Sequence, residues 1–253
     1  MEVLVNGVEL HYETAGEGEP LLWLHGFLGA GPDWRHIFGE PPSGFRLIAP
    51  DLRGHGASTN PSGTFSFRQA ADDVLGLLRH LRIDRVKAIG VSGGGITLLH
   101  MATAAPASIE SMVIVSAPPY FPEQARALQR LTSEAMFGDV ELELMRQRHR
   151  HGKEQIEALF VRGRALAERY DDVNFTPPYL GTITARTLIV FGDRDPFYPV
   201  SLAFDLHAAI RGSHLWVIPG AGHSPVFGEA ASQFAGTALR FLRSELASGG
   251  AAT

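Results

Sequence analysis

Short apolar runs alternate with amphipathic segments along most of the chain. Seven runs have the length of strands and are rich in branched or aromatic residues: 8–12, 21–24, 46–49, 86–89, 112–115, 188–191 and 215–218. Most are continuously apolar, which is typical of strands buried on both faces of a sheet. Between them, apolar residues recur at helical spacing, most clearly in 70–81 and 234–246. The alternation predicts the α/β class, with a mostly parallel sheet of about eight strands flanked by helices. The Asn6-Gly7 turn predicts an antiparallel hairpin at its start.

This alternation stops between residues 118 and 180. The stretch begins at Pro118-Pro119 and contains helical periods such as that of Ile156, Leu159 and Phe160. We interpret residues 118–180 as a helical cap inserted into a core domain that comprises residues 1–117 and 181–253.

Composition and charge narrow the possible functions. The 253 residues are 45% hydrophobic, which suffices for a large buried core. With 22 Lys+Arg against 27 Asp+Glu the formal net charge is −5, so a basic surface that follows nucleic-acid phosphates is not expected. The sequence has no cysteine, which excludes a thiolate nucleophile, a disulfide scaffold and cysteine-ligated metal clusters.

The start of the chain does not resemble a secretory signal. The first seven residues include Glu2 and lack a basic region. Residues 88–109 carry no Asp, Glu, Lys or Arg, but they include three consecutive glycines and Pro106, so we interpret them as a buried strand, turn and helix rather than a membrane span. We therefore expect a cytoplasmic protein that binds neither membranes nor nucleic acid. The tail 247–253 is expected to fray.

A candidate nucleophile lies between a predicted strand and a predicted helix. Gly90-Val91-Ser92-Gly93-Gly94 fits the pattern G-x-S-x-G, directly after the run 86–89. A nucleophile on a sharp strand-to-helix turn needs small residues two positions to either side, because larger side chains would collide there. The helix that follows directs free backbone N–H groups at the reaction site. A turn of small residues made only for packing is the alternative interpretation, and the flanking strand and helix favour the nucleophile.

A serine hydroxyl needs a base that an acid holds in the correct tautomer. Of the 11 histidines, His223 lies in a glycine-rich loop directly after the run 215–218. Loops at the carboxyl ends of parallel strands are where such sheets build their sites. The preceding strand is followed by Asp193 and Asp195, and the sequence pattern alone leaves both open as the acid.

The order Ser92, aspartate, His223 resembles the α/β-hydrolase superfamily over essentially the whole chain. The resemblance also includes the His25-Gly26-Phe27 loop and the segment 51–58, Asp-Leu-Arg-Gly-His-Gly-Ala-Ser. It implies the α/β-hydrolase fold, with Asp195 as the triad acid and the backbone N–H groups of Phe27 and Gly93 as the oxyanion hole. His25 and the segment 51–58 are expected to be structural. The resemblance implies neither a cofactor nor a metal.

A more moderate likeness is to valacyclovir-hydrolase-type enzymes, which cleave α-amino-acid esters. It is carried by short segments that include Ile96-Thr97, Pro119-Tyr120 and Pro178-Tyr179. In that group an acid follows the nucleophile, whereas this chain has Gly93. We therefore expect no selectivity for cationic esters unless an acid elsewhere in the cap takes over this role. We also expect a roomier site that tolerates varied acyl groups.

Within the predicted cap we expect Tyr120, Phe137 and Tyr179 to contact the substrate. The basic cluster at 146–151 is expected to form a solvated helix face. Its two histidines, His149 and His151, lack a third ligand at zinc-type spacing, so no metal site is predicted.

These residues predict a serine hydrolase of the carboxylesterase type. The expected reaction is hydrolysis of small-molecule carboxylic esters with small to medium acyl chains, through an acyl-enzyme on Ser92. A haloalkane dehalogenase or epoxide hydrolase would need a carboxylate nucleophile instead. A C–C bond hydrolase, a lactonase, an acyltransferase and a hydrolase-fold ligand receptor with slow turnover remain open, as do the monomeric and homodimeric states.

Overall fold

The computed structural model describes residues 1–245, and its central element is one eight-stranded sheet. The strands are β1 (Glu2–Val5), β2 (Val8–Ala15), β3 (Glu19–Leu24), β4 (Phe45–Pro50), β5 (Val86–Val91), β6 (Ile109–Val115), β7 (Arg186–Gly192) and β8 (His214–Ile218). Their order in the sheet is β1-β2-β4-β3-β5-β6-β7-β8. Strand β2 pairs antiparallel with both β1 and β4, and the other pairs are parallel. The predicted fold class is confirmed, including the hairpin at Asn6-Gly7.

Helices cover both faces of this sheet. They are α1 (Arg35–Phe38), α2 (Phe67–His80), α3 (Gly93–Ala104), α4 (Glu123–Arg130), α5 (Asp139–Arg148), α6 (Lys153–Leu166), α7 (Pro177–Leu180), α8 (Ser201–Ala209) and α9 (Ala231–Leu242). Successive residues of β3 point to opposite faces: Leu22 and Leu24 join the core beneath α2 and α3, while Leu21 and Trp23 join the core beneath α1 and α9. Burial on both faces explains why the central strands are continuously apolar.

The parallel strands bring their carboxyl ends to one edge of the sheet. Leu24 at the end of β3 pairs with Gly90 near the end of β5, and Gly192 at the end of β7 pairs with Ile218 at the end of β8. The loops that follow these strands therefore lie side by side.

Helices α4 to α7 lie between β6 and β7, which are neighbours in the sheet. This is the part of the chain where the strand–helix alternation stops, and we call residues 116–185 the helical insertion. Apolar spacing does not indicate the buried face of helix α4, because this face consists of Ala125, Arg126 and Gln129 rather than large apolar residues. The division into a core domain and a cap at residues 118–180 stays a prediction.

Part of the basic cluster joins the insertion to the sheet domain. The ring of His149 is buried: its Nδ1 accepts the N–H of Gly56 at 2.9 Å, and its Nε2 lies 3.2 Å from the carbonyl oxygen of Leu28. Arg148 pairs with Asp33 at 2.8 Å. The expectation of a solvated face is therefore wrong for these two residues, because their side chains meet polar groups of the facing loops.

The last helix differs from its predicted bounds. Helix α9 begins at Ala231 and ends at Leu242, whereas the apolar pattern predicts 234–246. Leu246 and the tail 247–253 lie outside the described residues. Within residues 1–245 no helix combines the length and the apolar character needed to cross a membrane.

Candidate active site

Ser92 occupies a sharp turn between β5 and α3. Its backbone has φ +50° and ψ −113°, in a region that residues other than glycine rarely adopt. Hydrogen bonds hold this conformation: the N–H of Ser92 donates to the carbonyl of Val115 at 2.7 Å, and the carbonyl of Ser92 accepts the N–H of Ile96 at 3.0 Å. The turn places the serine at the carboxyl edge of the sheet.

The glycines around Ser92 are required by close backbone contacts. A Cβ atom on Gly90 would lie 2.5 Å from the carbonyl oxygen of Gly94, and one on Gly94 would lie 2.2 Å from the carbonyl oxygen of Leu24. Both distances are shorter than any real Cβ contact, so no side chain fits without movement of the backbone. This is the steric reason for the predicted G-x-S-x-G spacing.

Three predicted side chains meet at this turn. Nε2 of His223 lies 2.9 Å from Oγ of Ser92, and Nδ1 of His223 lies 2.8 Å from Oδ2 of Asp195. A carboxylate can only accept, so Nδ1 carries the proton and Nε2 is left to accept the serine hydroxyl. This is the relative placement that a Ser-His-Asp triad requires.

The structure also distinguishes the two candidate acids. Asp195 is buried, and its Oδ1 accepts the backbone N–H groups of Phe197 and Tyr198 at 2.8 and 3.1 Å. Asp193 is exposed and accepts the N–H of Gly220 at 2.6 Å within the neighbouring turn. Asp195 contacts His223, and Asp193 only fixes the loop.

The two backbone amides of the predicted oxyanion hole lie next to each other. A Cβ atom placed on Gly93 would be 3.1 Å from the backbone nitrogen of Phe27. Neither amide has a hydrogen-bond acceptor among residues 1–245. Gly93 is also the first residue of α3, where the helix dipole adds positive potential. The pair can therefore stabilise negative charge that develops on a carbonyl oxygen.

His25 and Asp51 hold the loop that carries Phe27. Nε2 of His25 accepts the N–H of Leu52 at 2.9 Å, and its Nδ1 lies 2.7 Å from the carbonyl oxygen of Gly26. Burial lowers the pKa of His25, which keeps the ring neutral and Nε2 free to accept. Asp51 accepts two backbone N–H groups of the surrounding loops. Both side chains thus have structural contacts, as expected.

A cavity of about 250 Å³ opens at Ser92 and His223. Its wall is formed by the elbow, the oxyanion loop and the helical insertion, and most of its remaining lining residues are apolar: Phe27, Leu28, Phe67, Ile96, Phe121, Met136, Phe137, Leu166, Phe197 and Tyr198. No Asp, Glu, Lys or Arg lines the cavity within the described part of the chain. Burial and the nearby charge of Asp195 raise the pKa of Tyr198, so its hydroxyl stays neutral.

Of the three aromatic residues predicted to contact substrate, Phe137 lines the cavity. Tyr120 is 45% exposed, and its backbone forms a bridge with Asn174 instead. Tyr179 is 42% exposed and stacks on Phe175. The prediction for these two tyrosines is corrected, because both lie on outer parts of the insertion.

The sequence reasoning missed several lining residues. Phe197 and Tyr198 directly follow Asp195-Pro196, so their position in the triad loop was a usable signal. Phe67 has no such signal, yet its Cε1 lies 2.9 Å from where a Cβ on Gly93 would stand. The expected roomier site is therefore wrong at this point, since the Phe67 ring fills the space beside Gly93.

A serine on such an elbow, at the carboxyl edge of a mostly parallel sheet and within reach of a histidine, is characteristic of α/β-hydrolase enzymes. The family model described as "alpha/beta hydrolase fold" matches residues 19–139. Serine hydrolase BPHL of Mus musculus is 31% identical over 245 residues, covering 88% of this chain and 79% of that protein. Its counterpart in Homo sapiens is 30% identical over 244 residues, with the same coverage. The chain belongs to the serine hydrolases of the α/β-hydrolase superfamily.

Solved structures show the same fold at lower identity. The enol-lactonase from Burkholderia xenovorans LB400 superposes with a TM-score of 0.78 at 24% identity, covering 96% of this chain and 100% of that one. A mutant of the meta-cleavage product hydrolase CumD gives a TM-score of 0.77 at 22% identity, with 96% of both chains covered. Within residues 1–245 no group of three or more His, Cys, Asp or Glu side chains is placed to hold a metal ion.

Proposed function

We propose that this hydrolase cleaves uncharged carboxylic esters with small to medium acyl groups through an acyl-enzyme on Ser92. The observation that carries the proposal is the hydrogen-bonded array of Ser92, His223 and Asp195, with contacts of 2.9 and 2.8 Å, at the end of an apolar cavity.

The reaction follows from the positions of these groups. Ser92 Oγ attacks the ester carbonyl while His223 Nε2 takes its proton, and Asp195 stabilises the imidazolium that forms. The N–H groups of Phe27 and Gly93 bind the oxyanion of the tetrahedral intermediate. His223 then returns the proton to the leaving alcohol. Water activated by the same nitrogen hydrolyses the acyl-enzyme in the second half of the reaction.

Size and charge of the cavity support the substrate class. A volume of about 250 Å³ lies below the usual range of pockets for drug-sized ligands, roughly 300–1,000 Å³, which favours acyl groups of small to medium size over long chains. A charged group would be buried there without a partner of opposite charge, and that is costly. In this proposal the helical insertion acts as the cap, because its residues form the wall that faces the elbow.

The test is hydrolysis of p-nitrophenyl esters from acetate to laurate by the wild type, by Ser92→Ala and by the control Ser62→Ala, whose hydroxyl lies in an exposed loop. We expect the rate to be highest at butyrate or hexanoate, to be lost in Ser92→Ala and to be unchanged in the control. A fluorophosphonate probe followed by peptide mass spectrometry should label Ser92. Equal rates in wild type and Ser92→Ala, or an optimum at laurate, would refute the proposal. A lactone and a vinylogous diketone belong in the same assay, since lactonase and C–C hydrolase activity need only the same residues.

A further inference from the structure

The cavity wall contains one polar side chain whose hydrogen bonding is incomplete. Gln129, near the end of α4, lines the cavity and is only 7% exposed. Its side chain forms no hydrogen bond among residues 1–245, and its Oε1 is shielded from solvent as well. Rotation about the last side-chain bond, which has a broad torsional preference, brings either end of the carboxamide to the cavity. A buried acceptor left in this way destabilises the folded protein, so it calls for an explanation.

Arg126, on the same face of α4 and one turn earlier, is a buried polar residue with a structural role. Its guanidinium donates to the carbonyl oxygens of Phe121, Ala167 and Arg169 at 3.1, 2.6 and 3.1 Å. Arg126 therefore ties α4 to the rest of the insertion, whereas the carboxamide of Gln129 makes no such bond. An apolar residue would fill the same wall without an unpaired acceptor.

The surroundings of Gln129 restrict what it can bind. Among residues 1–245 no Asp, Glu, Lys or Arg lines the cavity, and the other polar groups at the elbow, Ser92 and His223, are hydrogen-bonded to each other. A neutral carboxamide in an apolar wall favours an uncharged hydroxyl or amide group, because an ammonium group or a carboxylate would lack a counter-charge there.

We infer that Gln129 is a specificity-determining residue whose carboxamide hydrogen-bonds a hydroxyl or amide group of the substrate. The preferred esters then carry one uncharged hydroxyl or amide group on the part that contacts the insertion, in addition to the scissile group at the elbow. This inference rests on the proposed ester hydrolase function. A site built to bond a substrate hydroxyl discriminates against the analogue without it, since its own polar group is then left unpaired.

The experiment compares esters in which a methyl group replaces a hydroxyl of similar size. Methyl esters of 2-, 3- and 4-hydroxyphenylacetic acid are assayed against the corresponding methylphenylacetic esters, because the three positions sample different depths of the cavity. For at least one pair, kcat/KM of the wild type should favour the hydroxyl compound by about tenfold or more. Gln129→Met, which keeps the length of the side chain, should lose this preference. Gln147→Met, at an exposed position on α5, should keep it.

Two further readouts separate specificity from structure and from catalysis. Gln129→Met should have a melting temperature equal to or above that of the wild type, because it removes an unpaired buried acceptor. A clear fall in the melting temperature would indicate a structural role and overturn the inference.

The second readout is the affinity of Ser92→Ala, with and without Gln129→Met, for the corresponding phenylacetamides, measured by calorimetry. A hydroxyl preference in binding without any turnover would support the role of Gln129 while refuting ester hydrolysis. Turnover that depends on Ser92 but shows no hydroxyl preference in any pair, or a preference that survives Gln129→Met, would refute the inference and leave the proposed function intact.

Discussion

Replacing Asp195 with asparagine should prevent His223 from acting as the base, although the site keeps a side chain of the same shape at position 195. Oδ1 of Asp195 accepts the backbone N–H groups of Phe197 and Tyr198, and Oδ2 faces Nδ1 of His223. The introduced asparagine keeps one oxygen, and the two backbone donors fix that oxygen in the Oδ1 position. Its NH₂ group then faces Nδ1 of His223.

That orientation reverses the tautomer of the histidine. An amide NH₂ only donates, so Nδ1 of His223 must become the acceptor and the ring proton moves to Nε2. Nε2 lies 2.9 Å from Ser92 Oγ and can then no longer take the serine proton. In the chymotrypsin-type triad the same exchange lowers kcat about 10⁴-fold, which corresponds to roughly 5.4 kcal/mol of activation free energy. We expect a loss of this order here, with little change in stability because both backbone donors keep their acceptor.

The assay is kcat and KM for the best p-nitrophenyl ester, alongside urea unfolding of each variant. Asp193→Asn is the matched control, since an asparagine oxygen can still accept the N–H of Gly220 and no contact with His223 is involved. It should retain kcat within about threefold. The reasoning fails if Asp195→Asn keeps most of its kcat, or if Asp193→Asn is the variant that loses it.

Two other substitutions test the surroundings of the triad. Gly93→Ala should lower kcat/KM, because its Cβ would lie 2.9 Å from the Phe67 ring and 3.1 Å from the Phe27 nitrogen. Adding Phe67→Leu to this variant should restore part of the lost kcat/KM. A coupling energy below about 0.5 kcal/mol in the double-mutant cycle would contradict this expectation. Burial lowers the pKa of His149 to about 4, against 6.5 for an unperturbed histidine. As the pH falls, the unfolded chain therefore binds a proton on this ring at a higher pH than the folded protein does. The associated stability is complete above pH 6.5 and is lost as the pH falls towards 4, up to about 3 kcal/mol. His149→Gln should therefore flatten the dependence of the unfolding free energy on pH in this window; a slope equal to that of the wild type would be the contrary result.

The fold and the triad were predictable because both depend on local sequence order. Continuous apolar runs correspond to strands buried on both faces, and the residues that follow those strands meet at one edge of the sheet. Ser92, His223 and the two aspartates each lie in the short loop that follows such a run. The choice of Asp195 came from family resemblance, and the three-dimensional reason for it is the pair of backbone donors at Phe197 and Tyr198, which no periodicity reveals.

The substrate cavity was much less predictable, because its wall combines residues that are distant in sequence. Phe67 from α2 and Gln129 from α4 reach the same space, although the apolar pattern of α2 only indicates a buried face and the buried face of α4 contains no large apolar residue. Tyr120 and Tyr179 show the opposite error. Aromatic residues in a helical insertion have both an inner and an outer side available, and spacing alone does not distinguish them.

The contacts of His149 show why the insertion and the elbow have to be considered as one site. The ring accepts a hydrogen bond from Gly56, so its proton is on Nε2 and is donated to the carbonyl oxygen of Leu28, at 3.2 Å. Leu28 directly follows Phe27, whose N–H faces the nucleophile, and its own backbone has φ +68°, a conformation that needs support in a residue other than glycine. The end of α5 thus helps to hold the turn that presents an oxyanion donor, while α4 and α6 of the same insertion form the wall of the cavity. A substitution at this contact is therefore expected to change the rate of the chemical step as well as the binding of substrate.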